Sequence, residues 1–232
     1  MKKIKLVLAL ILFAGISNTF GQANEMQDNI ALIKKNLADS KQNLKKYEWI
    51  ETTTTFVKGE QKSKKQNQCY YSVDGKLTKV ETGGSAAAKT PGGLRGKAAA
   101  NKKQDIQDYI QKALEQINSY MPPDPDKIQQ NYADGKTAIQ ILEPGKKFKL
   151  NFPDYLQKGD LLSISLDKEN KFLLGYSVKT FVSDPTDVVT FDVVVKALPD
   201  GTQYPAEITF NSASQKLKIV MQNSGYKVGG GH

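Results

Sequence analysis

The feature that most constrains this chain is a long series of short segments in which apolar and polar residues alternate, running from Gly135 almost to the C-terminus. Alternation with a period of two is typical of β-strands that bury one face and expose the other. Turn-forming residues separate the segments at 167–170, 183–187, 199–202 and 211–215. The alternating apolar residues are Ile139, Ile141, Phe148, Leu150, Phe152, Leu162, Ile164, Leu166, Phe172, Leu174, Tyr176, Val178, Val189, Phe191, Val193, Val195, Tyr204, Ala206, Ile208, Phe210, Leu217, Ile219 and Met221.

The first half of the chain mixes helices with strands. Apolar residues at helical spacing predict a helix over 24–46 and a longer one from about Gly96 to Met121. Pro122-Pro123 ends the longer helix, and Asp124 is suited to cap a short helix over 125–132. The residues between them predict strands at 47–58, 69–73 and 76–81, with Asp74-Gly75 as a hairpin turn.

These elements predict an α+β fold. The amphipathic helices need an apolar surface to pack against, and the apolar face of the sheet supplies it. We therefore expect one large, curved, antiparallel sheet, an incomplete β-barrel, with the helices packed on its concave face. A single domain of this kind would occupy 24–228, with a flexible basic Gly/Ala/Lys loop at about 82–100 and a flexible tail at 229–232.

The N-terminus predicts export from the cytoplasm. A basic start at Lys2, Lys3 and Lys5 precedes an apolar run over 6–16 and a polar stretch that ends at Ala23. This is the layout of a secretory signal peptide, 1–23, and the apolar run is shorter than the roughly 20 residues of a membrane span. We expect a periplasmic or secreted protein.

Of the net charge of +9, three charges lie in the N-terminal 1–23 and a net six lie in one later segment. Residues 76–103 hold six Lys and one Arg against one Glu, whereas no aromatic residue lies between Tyr71 and Tyr109. Because bases stack on aromatic rings and Arg is the usual reader of phosphates and base edges, we expect no nucleic-acid partner. Two interpretations stay open: a solvated loop, or an electrostatic contact with an anionic membrane or envelope surface. The residues of such a contact would be Lys89, Arg95, Lys97, Lys102 and Lys103.

The residue types needed for most catalytic and metal sites are scarce. The chain has one His, His232, at its last position, and one Cys, Cys69, without a recognisable acid or base partner. We therefore expect no catalytic residues, no metal site and no cofactor. Carboxylates at the turns leave open a pair suited to glycoside chemistry, although each has a sufficient role in its turn.

Three short segments resemble the periplasmic outer-membrane lipoprotein carrier and sorting superfamily. They are Tyr47-Glu48-Trp49-Ile50-Glu51, Tyr71-Ser72-Val73-Asp74-Gly75, and the hairpin 198–205 with Asp200-Gly201. The resemblance implies an incompletely closed barrel with a helical lid, and an acyl chain or lipoprotein lipid as partner. It departs from the family where carriers have an Arg on an early inner strand, since Arg95 is the only Arg here.

The functional prediction is a monomeric, non-catalytic protein that binds an apolar ligand between sheet and helices. The alternative is an envelope interaction protein with a fully packed core and a Lys-rich contact loop. The residues expected to line an apolar site are Trp49, Phe148, Leu150, Phe172, Leu174, Phe191 and Val193.

Overall fold

A computed structural model describes residues 32, 35–85, 93–120, 123–182 and 184–229 of the chain. In this part, helix α1 covers residues 35–43 and continues into a 3-10 turn, Leu44–Lys46. The other helices are α2, Gly93–Asn118, and α3, Pro125–Ala133. The strands are β1 Tyr47–Val57, β2 Glu60–Tyr71, β3 Leu77–Ser85, β4 Ala138–Glu143, β5 Lys147–Pro153, β6 Leu161–Asp167, β7 Phe172–Phe181, β8 Val188–Ala197, β9 Gln203–Ser212 and β10 Leu217–Val228.

All ten strands form one antiparallel, curved and unclosed sheet, in the order β3-β2-β1-β10-β9-β8-β7-β6-β5-β4. Two meanders, β1–β3 and β4–β10, are joined where β1 pairs with β10. The edge strands are β3 and β4, which follow each other along the chain, so the segment between them must cross the whole sheet. Helix α2 has 26 residues and a length of about 39 Å, close to the roughly 43 Å that nine strand spacings cover. The predicted fold class is confirmed.

Helix α2 packs on one face of the sheet, called the helix face below. A first apolar cluster lies over β5–β7 and contains Tyr120, Leu150, Phe152, Leu162 and Val178. A second cluster lies between α2 and β8–β10 and contains Ala113, Ile117, Val189, Phe210 and Leu217. Leu37 of α1 and Ile128 of α3 pack against the first cluster. Helix α3 begins as predicted, because the Asp124 carboxylate accepts the backbone N–H groups of Asp126 and Lys127.

Hydroxyl groups fix α2 on the sheet at both of these clusters. The Tyr109 hydroxyl donates to the Asp187 carboxylate over 2.7 Å and contacts the Ser212 hydroxyl at 2.8 Å. The Tyr120 hydroxyl, which follows the helix, donates to Asp160 over 2.6 Å. A helix that crosses strands is therefore anchored by directional bonds as well as by apolar contact.

The segment predicted as a basic loop at about 82–100 has regular structure at both ends. Residues 82–85 continue strand β3, and 93–100 belong to α2, whereas 86–92 lie outside the described residues. One of the glycines that favoured a loop, Gly84, has a packing reason, because a Cβ there would lie 2.5 Å from the Lys64 carbonyl oxygen. The predicted signal peptide, 1–23, most of the first part of the predicted N-terminal helix, and residues 230–232 also lie outside the described residues.

Candidate functional site

One row of side chains runs across the middle of the helix face. Strand register pairs Tyr176 with Val193, Val193 with Ile208, Ile208 with Met221, and Met221 with Thr53. We call these five residues on β7, β8, β9, β10 and β1 the central row. Val193 is 5% exposed and the other four are half-buried. Among the described residues, the central row belongs to neither of the two apolar clusters.

The helices contact the strands on either side of this row. Toward one end of the strands, α2 packs on Val189 and Leu217, each four residues from its central-row neighbour. Toward the other end, Ser40 of α1 accepts the backbone N–H of Gln203 over 2.9 Å, and Asn36 donates to the Lys171 carbonyl over 3.0 Å. The central row therefore lies between the two helix-covered ends of the sheet, which explains why it is only half-buried.

The polar groups without a hydrogen-bond partner among the described residues include two on strands of the central row. The hydroxyl of Tyr176 is one, and burial alone raises the pKa of this tyrosine, so the neutral phenol is favoured. The other is Nε2 of Gln203, a buried residue whose Oε1 accepts the backbone N–H of Leu173 over 3.0 Å. Buried donors are normally satisfied, so each can supply a hydrogen bond to a bound molecule.

Beyond Thr53 the helix face becomes polar. The Glu51 side chain is 7% exposed, and its carboxylate lies 2.6 Å from Lys79 Nζ and accepts from the Asn67 amide over 3.3 Å. Burial of a carboxylate is tolerated when a cation and a donor satisfy it. The apolar surface therefore ends at β1, and the β1–β3 side of the sheet offers hydrogen bonds and charge.

Trp49 is held by its neighbours next to this polar part. Its indole N–H donates to Oδ1 of Asn223 over 3.1 Å, and its ring stacks on Tyr226 at 5.5 Å between centroids and 12° between planes. The ring is 8% exposed. Trp49 thus lies on the helix face, within an aromatic group at the end of β1 and β10.

The other residues predicted to line an apolar site fall into different environments. Val193 is in the central row, while Phe148 and Phe191 pack against the clusters and Leu150, 2% exposed, is part of the first cluster. Leu174 is the unpaired residue of a bulge between β6 and β7, and Phe172 pairs with Asp167 just beyond it. Leu173, between them, pairs with Leu166 and packs against that cluster. The bulge interrupts the simple alternation on which these two predictions depended.

The residues of the predicted basic contact are now placed on a helix. Arg95, Lys97, Lys102 and Lys103 lie in α2, and Lys89 lies outside the described residues. Of these side chains the structure describes only Lys102, which is exposed.

Sequence reasoning missed the combination of Tyr176, Ile208, Met221 and Thr53. The alternating pattern contained the first three, but periodicity gives a residue's face and not its neighbour on the next strand. Only the pairing of β1 with β10 brings Thr53 beside Met221.

The described residues contain no cluster of three or more His, Cys, Asp or Glu side chains arranged to hold a metal ion. Within the same part of the chain, no helix combines the length and the apolar character needed to cross a membrane. Burial, and secondarily the nearby Glu51 carboxylate, raises the pKa of the Cys69 thiol, so this buried cysteine is held in its neutral form.

No protein-family model matches the chain, and no curated protein matches it either. Among solved structures, it is similar to a DUF1329 family protein from Desulfovibrio piger, with 8% identity and a TM-score of 0.36 over 90% of this chain and 95% of that one. It is also similar to a putative outer membrane lipoprotein-sorting protein domain from Vibrio parahaemolyticus, with 11% identity and a TM-score of 0.33 over 90% and 93% of the two chains.

A third similar structure is a LolA superfamily protein from Nitrosomonas europaea, with 8% identity and a TM-score of 0.34 over 85% of this chain and 94% of that one. Two of the three carry names of the superfamily that the sequence motifs resembled, so the predicted resemblance is confirmed as a resemblance. The fold class rests on the sheet topology above, and likenesses this distant say nothing about the function of this chain.

Proposed function

We propose that the protein is a non-catalytic carrier-like protein that binds an apolar ligand, such as an acyl chain or a lipoprotein lipid, along the central row. The observation that carries this proposal is a row of half-buried apolar side chains between two helix-covered ends of the sheet. Sites for apolar ligands combine an apolar lining with a few fixed polar groups. The Tyr176 hydroxyl and the Gln203 amide are such groups, suited to the polar end of an acyl ligand.

A substitution that fills the central row tests this proposal. Met221→Trp places a large ring on the helix face, whereas Val220→Trp places the same ring one residue earlier on the other face. We expect a fluorescent fatty acid such as cis-parinaric acid to bind the unaltered protein and the Val220→Trp variant. Met221→Trp should weaken this binding by roughly tenfold or more. Equal binding by the two variants, or none by the unaltered protein, would refute the proposal.

Export belongs to the same proposal. The basic, apolar and polar regions of 1–23 support a signal peptide cut after Ala23, and a protein released outside the cytoplasm. Fractionation of cells followed by N-terminal sequencing should recover a protein that begins at Asn24. An uncut N-terminus in the membrane fraction would contradict this part of the proposal.

A second candidate function is an interaction protein of the envelope, which binds an anionic surface through the first half of α2. The favouring observation is the charge of 93–103, which contains Arg95, Lys97, Lys102 and Lys103 and no acidic residue. The N-terminus of a helix carries a partial positive charge, so the cations in the first half of α2 do not stabilise the helix. An anionic partner would pair with these cations and so account for their position.

A further inference from the structure

The end of the sheet at which β1 begins carries a row of apolar and aromatic side chains. Strand register pairs Leu77 of β3 with Tyr71 of β2, and Tyr47 of β1 with Val228 of β10. Tyr71 and Tyr47 lie side by side, because β1 and β2 are neighbouring strands whose pairing runs toward this end. We call these four residues the end row.

The aliphatic side chains at this end are exposed. Leu77 is 45% exposed and Val228 73%, and Val73, in the hairpin turn between β2 and β3, is 90% exposed. Among the described residues, none of the three belongs to either apolar cluster of the helix face. A single exposed apolar side chain is ordinary, whereas several at one end of a sheet, beside aromatic rings, indicate a contact surface.

The two tyrosines of the end row are held in place by their neighbours. The ring of Tyr47 meets that of Tyr226 edge-on, with 6.3 Å between centroids, and the ring of Tyr71 lies 5.9 Å from that of Trp49. The Tyr47 hydroxyl donates to the Asp200 carboxylate over 2.7 Å. Tyrosine and tryptophan combine an apolar ring with a polar tip, and for this reason they are enriched where proteins meet the membrane–water interface.

Lysines without an acidic partner precede the end row in the chain. Lys41, Lys45 and Lys46, in α1 and its 3-10 turn, are exposed and form no ion pair among the described residues. An acidic group at the same end already has a partner, because Asp74 lies 2.8 Å from Lys76 Nζ. The three lysines therefore leave positive charge next to exposed apolar side chains.

This combination selects the kind of partner. A protein interface of standard size buries roughly 800 Å² on each side, more than one row of side chains and a hairpin turn supply. A lipid surface needs no complementary shape, accepts apolar side chains below its head groups and attracts lysines when its lipids are anionic. We propose that the end row docks on a bilayer that contains anionic lipids, with Val73 and Val228 in the interface and the three lysines at the head groups.

A fluorophore that responds to its surroundings tests the insertion. Cys69 is fully buried, so a cysteine introduced as Val73→Cys is the site that the dye NBD labels. We expect its emission to shift to the blue on vesicles of phosphatidylcholine and phosphatidylglycerol, and doxyl-labelled lipid to quench it. Ile141→Cys, at a side chain 69% exposed on edge strand β4, is the matched control and should not respond. No shift at Val73→Cys, or equal shifts at both positions, would overturn the proposal.

The apolar contact is tested by a pair of uncharged double variants. Val73→Ser with Val228→Ser should weaken co-sedimentation with these vesicles by roughly tenfold or more, because two side chains lose their transfer free energy. Ile139→Ser with Ile141→Ser removes two exposed apolar side chains from β4 and should leave co-sedimentation unchanged. Equal effects of the two double variants would refute the location.

The electrostatic contact is tested by replacing the three lysines of α1 and its 3-10 turn by Gln. Binding at low salt should fall by roughly fivefold for each lysine removed. The control replaces three exposed lysines in turns at the opposite end of the strands, Lys58, Lys158 and Lys216. Equal losses from the two triple variants would mean that net charge, and not this end of the sheet, governs binding.

The same fluorophore separates this proposal from both candidate functions. Met221→Trp, which fills the central row, should leave the NBD shift at Val73→Cys intact. Gln in place of the cations of α2 should also leave it intact, because α2 begins beyond the far end of β3. Loss of the shift on removal of the α2 cations alone would assign the membrane contact to α2 and overturn the proposal.

Discussion

The buried hydroxyl of Tyr120 connects α2 to the loop before β6. It donates to Asp160, which also accepts the backbone N–H groups of Tyr155, Leu156 and Gln157. It also contacts the Thr180 hydroxyl at 2.9 Å. Burial, followed by the hydrogen bond to Asp160, raises the pKa of Tyr120 to about 12. The Tyr120 side chain therefore anchors the C-terminal end of α2, and this anchor depends on the phenol remaining protonated.

The raised pKa of Tyr120 gives a stability prediction with a defined sign. Its contribution is complete below pH 10, the ordinary value for tyrosine, and is lost as pH rises toward 12, where the folded phenol ionises. Tyr120→Phe should cost about 1 to 3 kcal/mol at pH 7, because Asp160 loses a donor. It should also lose less stability than the unaltered protein between pH 10 and 12. Urea unfolding across this range measures both effects, and parallel pH profiles would contradict the assignment.

The pair of Glu51 and Lys79 shows how burial determines the contribution of a salt bridge to the free energy of unfolding. Lys79→Met leaves the Glu51 carboxylate buried with only the Asn67 amide, so we expect a loss of roughly 1 to 3 kcal/mol. Lys76→Met is the matched control, because Lys76 and Asp74 form an exposed pair in the same hairpin. That change should cost less than about 0.5 kcal/mol. Similar unfolding midpoints for the two variants would show that Glu51 is better solvated than its position indicates.

At the scale of single strands, Gly175 is a position where β8 lies too close to β7 to leave room for a side chain. A Cβ there would lie 2.3 Å from the Val193 carbonyl oxygen, so Gly175→Ala must move backbone within the central row. We expect a loss of several kcal/mol, within the range of about 1 to 5 for overpacked or strained core sites. In Gly83→Ala, also in a strand, the nearest atom is 3.7 Å away and we expect little change. Thermal unfolding compares the two, and equal Tm values would contradict the close approach.

The local hydrophobic pattern predicted the presence of helices and strands better than the residues at which they begin and end. The apolar stripe of Ile106, Tyr109, Ile110, Ala113 and Ile117 packs on the sheet as its period of 3.6 predicts. Within the predicted basic loop, 82–85 form strand and 93–100 form helix, because glycine in an edge strand and an Ala/Lys-rich helix both have loop-like composition. Gly84 fits its position in β3 because the neighbouring strand leaves no room for a side chain there. Residues 98–100 are alanines, which have the highest intrinsic helix propensity.

At the scale of the whole molecule, long-range pairing creates the candidate site. The central row depends on β1 lying beside β10, about 170 residues away in the chain. Periodicity assigns Thr52 and Thr53 to opposite faces, yet it contains no information about which strand comes next. This is why the sequence predicted an apolar helix face but neither Met221 beside Thr53 nor Gln222 beside Thr52. The sheet therefore presents two chemically different surfaces, one apolar and one polar.

The distribution of charge over the whole molecule gives the last prediction. If the first half of α2 contacts an anionic surface, replacing Arg95, Lys97, Lys102 and Lys103 by Gln should reduce co-sedimentation with phosphatidylglycerol vesicles by roughly tenfold or more at low salt. Added salt should abolish the difference, because the Debye length falls to about 10 Å at 0.1 M. Gln at Lys58, Lys158, Lys216 and Lys218, four exposed lysines elsewhere, removes the same charge and is the matched control. Equal losses in the two variants would mean that net charge alone, and not α2, governs binding. Retention of cis-parinaric acid binding by both would separate this surface from the central row.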